Sequence, residues 1–177
     1  MNKIDLARIF ALEKHGEQKY GTLPYKAHLI NVISVLIHND IYPNSEENCD
    51  IWTSAWLHDV LEDTKTTKEE FIEKFGNKIY EIVWALTDEG EGSRHEKKSR
   101  MYKKLIHNQQ AIVVKLADRI TNLEHSFINC DEQKIRTYTE ENVELNKQLN
   151  NIISSRNGKI LLDYLNKTVE KIGKASK

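Results

Sequence analysis

Three apolar stretches of the chain carry side chains that an apolar helix face would exclude. His28 stands near the start of residues 25–38, His58 and Asp59 stand between Trp56-Leu57 and Val60-Leu61, and Asp118 directly follows Val113-Val114-Lys115-Leu116-Ala117. Burying even a neutral polar group without a partner costs about 2–7 kcal/mol, and a lone carboxylate costs more. Such residues must be paired or must hold a cation. Two imidazoles and two carboxylates together suit one divalent first-row metal ion, with positions left open for water and substrate. His58 and Asp59 are neighbours and diverge by about 100° around a helix, so they can meet one ion only near a helix edge. Taken singly, each residue has a plainer reading: a chance His-Asp dipeptide, a helix-start histidine, an aspartate paired with Arg119 or another base. Their joint occurrence on three apolar helices favours the metal.

Helical register extends the set. Glu62 follows His58 by four residues and Asp63 follows Asp59 by four, so in a continuing helix both lie one turn further along the same face. A second acidic pair beside a metal can orient a water, accept its proton or protonate a leaving group. Without the metal the pair reads as a solvated helix end. Asn122, four residues after Asp118, faces the same cavity or an exposed helix end, and spacing alone does not choose.

The elements that must position these groups are helices. Apolar residues recur at helical spacing over residues 3–16, 25–38, 51–57, 71–75, 78–87, 111–123, 131–153 and 157–172. Ser45, Thr66 or Thr67, and Asn108 are placed to cap helix starts, and Gly76 to stop one. Residues 21–24 read as a turn, and residues 88–93 are the most loop-like stretch. A basic helix covers residues 94–107, and no stretch has a strand's period of two. With 2 prolines and 7 glycines in 177 residues, the expectation is an all-α bundle of about eight to ten helices around one metal site.

Composition narrows the function classes. The 26 Lys+Arg face 27 Asp+Glu, for a net charge of −1, which argues against a general polyanion binder; stable nucleic-acid binding is not expected. Hydrophobic residues at 39% and charged residues at 30% lie within the globular range, and the length suggests a single domain over residues 1–177. Cys49 and Cys130 are too few for a disulfide framework or a four-thiolate zinc site. With no secretory signal they read as reduced thiols of a cytoplasmic protein. No apolar run is long enough to span a membrane, and neither GxxxxGK[ST] nor GxGxxG occurs. Most of the basic helix reads as a solvated face, but Arg94, Lys97 and Lys98, near the glycine-rich loop, could meet the distal phosphates of a highly charged nucleotide.

The pattern His28…His58-Asp59…Asp118 resembles the HD superfamily of metal-dependent phosphohydrolases. The segments HGEQKYGTLPYKAH at 15–28, WLHDVLEDT at 56–64 and VKLADRITNLEH at 114–125 are similar to the hydrolase domain of the RelA/SpoT family. The length is similar to its small stand-alone alarmone hydrolases, which include the metazoan SpoT homologue. The resemblance covers roughly residues 3–150 and implies an HD-domain core, with the C-terminal helices at 131–172 packed on it. It implies one Mn²⁺, or another divalent first-row ion, held by His28, His58, Asp59 and Asp118. The implied reaction removes pyrophosphate from the 3′ position of guanosine tetra- or pentaphosphate. Glu62 and Asp63 would position water and transfer the proton, with the carrier left open, and Asn122 would contact the nucleoside. Lys134 and Tyr138 resemble a basic–aromatic pair that contacts nucleotide.

The chain departs from the pattern in two places. Where relatives carry an Arg-Lys pair, with the Arg stacking on guanine, Lys19-Tyr20-Gly21 stands here in a segment one residue shorter. Tyr20 either stacks on a base or packs on the first helix. The base is therefore open between guanine and adenine, and the substrate extends to other phosphorylated nucleotides, NADPH losing its 2′-phosphate among them. Leu29 replaces a proline, which bears on helix geometry, and Tyr25 is expected to pack on the core. With Lys177 last, neither a synthetase nor a regulatory domain is expected to follow. A part in the stringent response and the neutralising of a toxic alarmone synthetase both stay open, as does a homodimer through apolar residues of the last two helices. A non-enzymatic module that sequesters nucleotide would need neither Glu62 nor Asp63.

Overall fold

Helix ends fall where side chains satisfy free backbone amides, and those ends decide where the polar residues stand. The computed structural model describes residues 1–175. Helix α1 (Lys3–His15) opens on Asn2, whose side chain accepts the Asp5 N–H at 2.8 Å, and closes at Gly16. The chain then forms a short antiparallel hairpin, β1 (Lys19–Tyr20) and β2 (Leu23–Pro24), pairing Lys19 with Pro24 and Tyr20 with Leu23. Only a turn was legible here, because two residues per strand are too few to show alternation. Gly21 makes the reversal at φ 62°, a conformation that costs glycine little. A Cβ at this position would stand 3.4 Å from the His125 imidazole.

Helices α2 (Lys26–His38) and α3 (Glu46–Leu57) follow, the second capped by Ser45, which accepts the Asn48 N–H. The chain leaves helical form at His58–Asp59 and resumes as a single turn, α4 (Val60–Asp63). Asp59 has φ −102° and ψ −2°, in the sparsely allowed bridge region. The continuous helix that register arguments assumed is thus interrupted at the His-Asp pair. The Asp59-to-Asp63 turn survives, closed by the Asp63 N–H on the Asp59 carbonyl at 2.8 Å.

Helix α5 (Lys68–Phe75) is capped by Thr67 and ends at Gly76, which at φ 83° turns the chain into α6 (Asn77–Leu86). A reciprocal Ser93–Glu96 capping box opens α7 (Arg94–Leu105), and Asn108 caps α8 (Gln109–Ile128). The last two helices are α9 (Glu132–Leu149) and α10 (Arg156–Ala175). The described residues thus hold ten helical segments and one small hairpin, an all-α bundle as the composition required.

Helix α8 is the centre of the bundle and packs against α2, α3, α6, α7, α9 and α10. It is buried on every side from Ala111 to Thr121, as a helix surrounded by others must be. Truncating the fully buried Leu116 to alanine would cost about 2–5 kcal/mol. Lys115, Asp118 and Arg119 lie in this same buried run, so each needs a partner. Helices α9 and α10 turn Leu145, Leu149, Leu161 and Leu165 inward. Among the described residues, Val143 is the only large apolar side chain left exposed on them, while Ile135, Leu162 and Val169 are half-buried. No described helix is long and apolar enough to cross a membrane.

Candidate active site

Four polar side chains from three places in the fold converge on one point. His28 comes from the first turn of α2, His58 and Asp59 from the break after α3, and Asp118 from the middle of α8. The Nε2 atoms of His28 and His58 lie 3.1 Å apart. Asp59 Oδ2 stands 2.9 Å from His58 Nε2 and 3.4 Å from His28 Nε2. Asp118 Oδ1 stands 3.4 Å from His28 Nε2 and 3.8 Å from His58 Nε2. Leaving the helix at residue 58 lets two successive side chains face one another, which an unbroken helix would prevent. The two imidazoles are nearly sealed from solvent, 2% and 3% exposed.

Other hydrogen bonds hold most of these groups, on the far side of His58 and Asp118 and on the inward-facing oxygens of Asp59 and Asp118. His58 Nδ1 donates to the Ala55 carbonyl at 2.8 Å, so its Nε2 is the atom that faces the centre. Tyr25 donates its hydroxyl to Asp59 Oδ2. Lys115 donates to Asp118 Oδ2 at 2.8 Å, and Asn122 donates to Asp118 Oδ1. His28 Nδ1 is buried and has no hydrogen-bond partner among the described residues. Burial pushes the Asp118 carboxyl up, but Lys115 and the two imidazoles outweigh it and hold the group well below the usual carboxylate range. Burial also disfavours charge on His58, yet Asp59 and Asp118 raise it to about 9. The cluster therefore calls for positive charge at its centre. His28, His58 and Asp118 each offer a ligand atom, all within 4.8 Å of one another, a spacing that fits a divalent first-row cation, and Asp59 Oδ2 stands beside the two imidazoles.

A cleft of about 190 Å³ opens beside the cluster. Glu62 and Asp63 line one side. Asp63 accepts a hydrogen bond from Gln18 Nε2 at 2.8 Å, and Glu62 accepts the Asp88 N–H at 2.9 Å. Burial pushes the Glu62 carboxyl up, against the pull of that N–H. Basic residues line the cleft too. Arg94 and Arg119 both bind the Glu141 carboxylate, each at 2.6 Å, and Lys98 pairs with Asp88 at 2.9 Å. Burial and then Lys115 lower the Lys98 ammonium.

Aromatic groups close the ends. The Tyr20 ring lies between His28 and His125, with centroids at 4.7 and 4.2 Å, and its hydroxyl donates to Asn122 Oδ1 at 2.8 Å. The Arg119 guanidinium sits over the Tyr138 ring at 5.0 Å.

Of the residues singled out from sequence, His28, Asp59, Asp118, Glu62, Asp63, Tyr20, Arg94, Lys98, Asn122 and Tyr138 line this cleft, with His58 directly behind. Lys19, Lys97 and Lys134 are not among the lining residues, and Lys134 pairs with Asp131 at 3.2 Å. Tyr25 is buried, as expected of a core residue, yet it also reaches the cluster through its hydroxyl. Sequence reasoning did not single out Gln18, and it left the base for Asp118 open between the adjacent Arg119 and another; the structure gives Lys115. Lys115 and Asp118 share a helix face at i, i+3, while Arg119 points on toward Glu141. The signal for Lys115 was a lysine inside a wholly apolar run, a position that demands a counter-charge. Gln18 carried no such signal.

Comparison with known proteins places these features in context. The HD domain family model matches residues 7–151. The chain is 32% identical over 160 residues to the Xenopus tropicalis guanosine-3′,5′-bis(diphosphate) 3′-pyrophosphohydrolase MESH1, covering 85% of this chain and 87% of that one. It is 37% identical over 119 residues to the Danio rerio MESH1, covering 64% and 63%. An Aquifex aeolicus guanosine-3′,5′-bis(diphosphate) 3′-pyrophosphohydrolase is 35% identical over 150 residues, which are 81% of this chain but only 20% of that longer protein. A solved structure described as a metazoan ortholog of SpoT that hydrolyzes ppGpp superposes with a TM-score of 0.72 at 24% identity, covering 94% of this chain and 95% of the other. That likeness carries the fold.

Proposed function

The chain belongs to the HD domain family, and from that premise we propose that it hydrolyses the 3′-pyrophosphate of guanosine tetra- or pentaphosphate-type alarmones, with Mn²⁺ as the ion. One observation carries the reading. A set of two imidazoles and two carboxylates shares a cleft with a second acidic pair and with paired cations. The names of the frog and zebrafish relatives support the same substrate.

A divalent ion bound by His28, His58, Asp59 and Asp118 would lower the pKa of a water to about 7 and neutralise phosphate oxygens. The chain's own groups do the rest. Tyr25, Lys115 and Asn122 hold the two aspartates in orientation. Glu62 and Asp63 orient the attacking water, take its proton and return one to the departing 3′-oxygen. The water oxygen ends on phosphorus, the bond from that phosphorus to the ribose oxygen breaks, and pyrophosphate is released. Arg94 and Lys98 draw in the phosphates, while Asn122 and Tyr138 face the nucleoside.

A second reading keeps this chemistry and changes the base or the phosphate. It rests on the hairpin, where a tyrosine ring faces the cleft and the exposed Lys19 points elsewhere. Without a guanidinium there, an adenine alarmone or the 2′-phosphate of NADPH would fit as well. A nucleotide panel assayed with Mn²⁺, Mg²⁺, Co²⁺ and Zn²⁺ separates the readings. Pyrophosphate released from guanosine 3′,5′-bis(diphosphate) is the expected product. Orthophosphate released from NADPH alone would select the second reading, and no turnover with any ion would overturn both.

A further inference from the structure

Behind Asp63 lies a pair of residues that the site so far leaves unused. His15 ends α1 and is only 6% exposed. Gly16, at φ 47°, turns the chain so that Gln18 folds back over it, with the Gln18 N–H on the His15 carbonyl at 2.9 Å. The Tyr25 N–H in turn binds the Gln18 carbonyl at 2.9 Å, so the backbone of Gln18 is held on both sides. Its side chain bridges two groups. Oε1 meets His15 Nδ1 at 2.8 Å, and Nε2 meets Asp63 Oδ2 at 2.8 Å.

The chemistry of the amide makes this arrangement directional. A carboxylate only accepts, so the Gln18 NH₂ must face Asp63, and its oxygen is left to face the imidazole. His15 must then carry its proton on Nδ1. Its Nε2 is buried with no partner, a place that tolerates a bare lone pair and rejects an N–H. Burial correspondingly lowers the imidazole toward its neutral form. The same ring stacks on Tyr25, with centroids 4.3 Å apart and planes at 20°, and Tyr25 holds Asp59. Nothing else in the described residues hydrogen-bonds the Asp63 side chain.

We infer that His15 and Gln18 are positioning residues that aim the Asp63 carboxylate into the cleft, with the Nδ1–H of His15 anchoring the oxygen end of the Gln18 amide whose NH₂ binds Asp63. The inference rests on the proposed hydrolysis, and its tests divide accordingly. In His15→Leu the amide oxygen loses its partner, so the Gln18 side chain is no longer held at its far end and Asp63 loses a fixed donor. The expected result is a kcat lower by about 10-fold, the range usual for groups that orient others, with KM and metal content unchanged. His15→Asn keeps an N–H donor at the place of Nδ1 and should restore most of kcat. Gln18→Glu sets carboxylate against carboxylate and should lose at least as much as His15→Leu. In an Asp63→Asn background, His15→Leu should bring no further loss, because the two act as one unit; a merely structural role would still show its full effect there. Thermal melts of each variant separate misfolding from misplacement.

A His15→Leu protein that is folded and keeps wild-type kcat would overturn the inference, as would full additivity in the double variant. A readout that needs no turnover is the ¹⁵N-edited imidazole spectrum of the wild-type protein. A neutral Nδ1–H tautomer at His15 is expected, and the Nε2–H tautomer would overturn the inference even if hydrolysis is established. If no nucleotide is turned over while the Nδ1–H tautomer is found, the activity proposal is what fails.

Discussion

The two walls of the cleft carry opposite charge and are built on opposite plans. On the ligand wall, the side chains are largely buried and most are held by other groups of the protein: Tyr25 on Asp59, Lys115 and Asn122 on Asp118, Ala55 on His58. On the basic wall, the Arg94 side chain is 58% exposed, and its partner is a carboxylate with which a phosphate would compete. The neighbouring cations of α7 do another job. Arg100 donates to the carbonyls of Glu89 and Glu91, and Lys104 donates to that of Thr87, so they pin the loop that carries Asp88. Fixed charges in a buried setting can organise a reaction, because little reorganisation is needed when charge develops. An exposed, exchangeable pair such as Arg94–Glu141 contributes little by itself, but it can release a phosphate once it is spent, whereas Lys98 and Arg119 on the same wall are largely buried.

The contrast can be broken most sharply at its buried end. His58→Ala should leave the protein without bound divalent ion by elemental analysis and abolish turnover. Glu62→Gln and Asp63→Asn should each lower kcat by about 10²–10⁴-fold while the ion stays bound; full activity in both would remove them from the chemistry. Glu62 also makes a stability prediction. Its folded carboxyl titrates above its ordinary value, so its stabilising contribution is present below the unfolded pKa and is lost as pH rises through the folded one. Glu62→Gln should therefore show a urea midpoint at pH 7 at least equal to that of wild type, with the gap closing toward pH 4.

Lys115→Met leaves Asp118 buried without its ammonium. Denaturant unfolding of the ion-free protein should show a loss of about 3–5 kcal/mol, and excess divalent ion should recover part of it by mass action. On the basic wall, Arg94→Ala should raise KM by about 10-fold and leave kcat near wild type, since one charged hydrogen bond is removed. Lys134→Ala, outside the cleft, should change KM by no more than about twofold. A larger effect at Lys134 than at Arg94 would invert the assignment of that wall.

Local chemistry was legible wherever it was local. Ser45, Thr67 and Asn108 cap the helices they were placed to cap, and Gly76 stops the one it was placed to stop, because a cap is an interaction across three residues. The break at His58–Asp59 was not legible. Trp56-Leu57 and Val60-Leu61 read as one apolar stripe, and no residue type within it marks the interruption. The hairpin at Lys19–Pro24 was hidden by its shortness, and Gln18 by its ordinary chemistry.

Residue types alone determined that this chain is helical and carries two imidazoles and two carboxylates in apolar surroundings that cannot leave them uncompensated. That conclusion needs only the cost of burying charge. Tertiary structure decided which donor answers each acid: Lys115 for Asp118, Arg119 for Glu141, Gln18 for Asp63. A hydrogen bond depends on angles and distances between segments far apart in the chain, and those become defined only when α8 is enclosed by its neighbours.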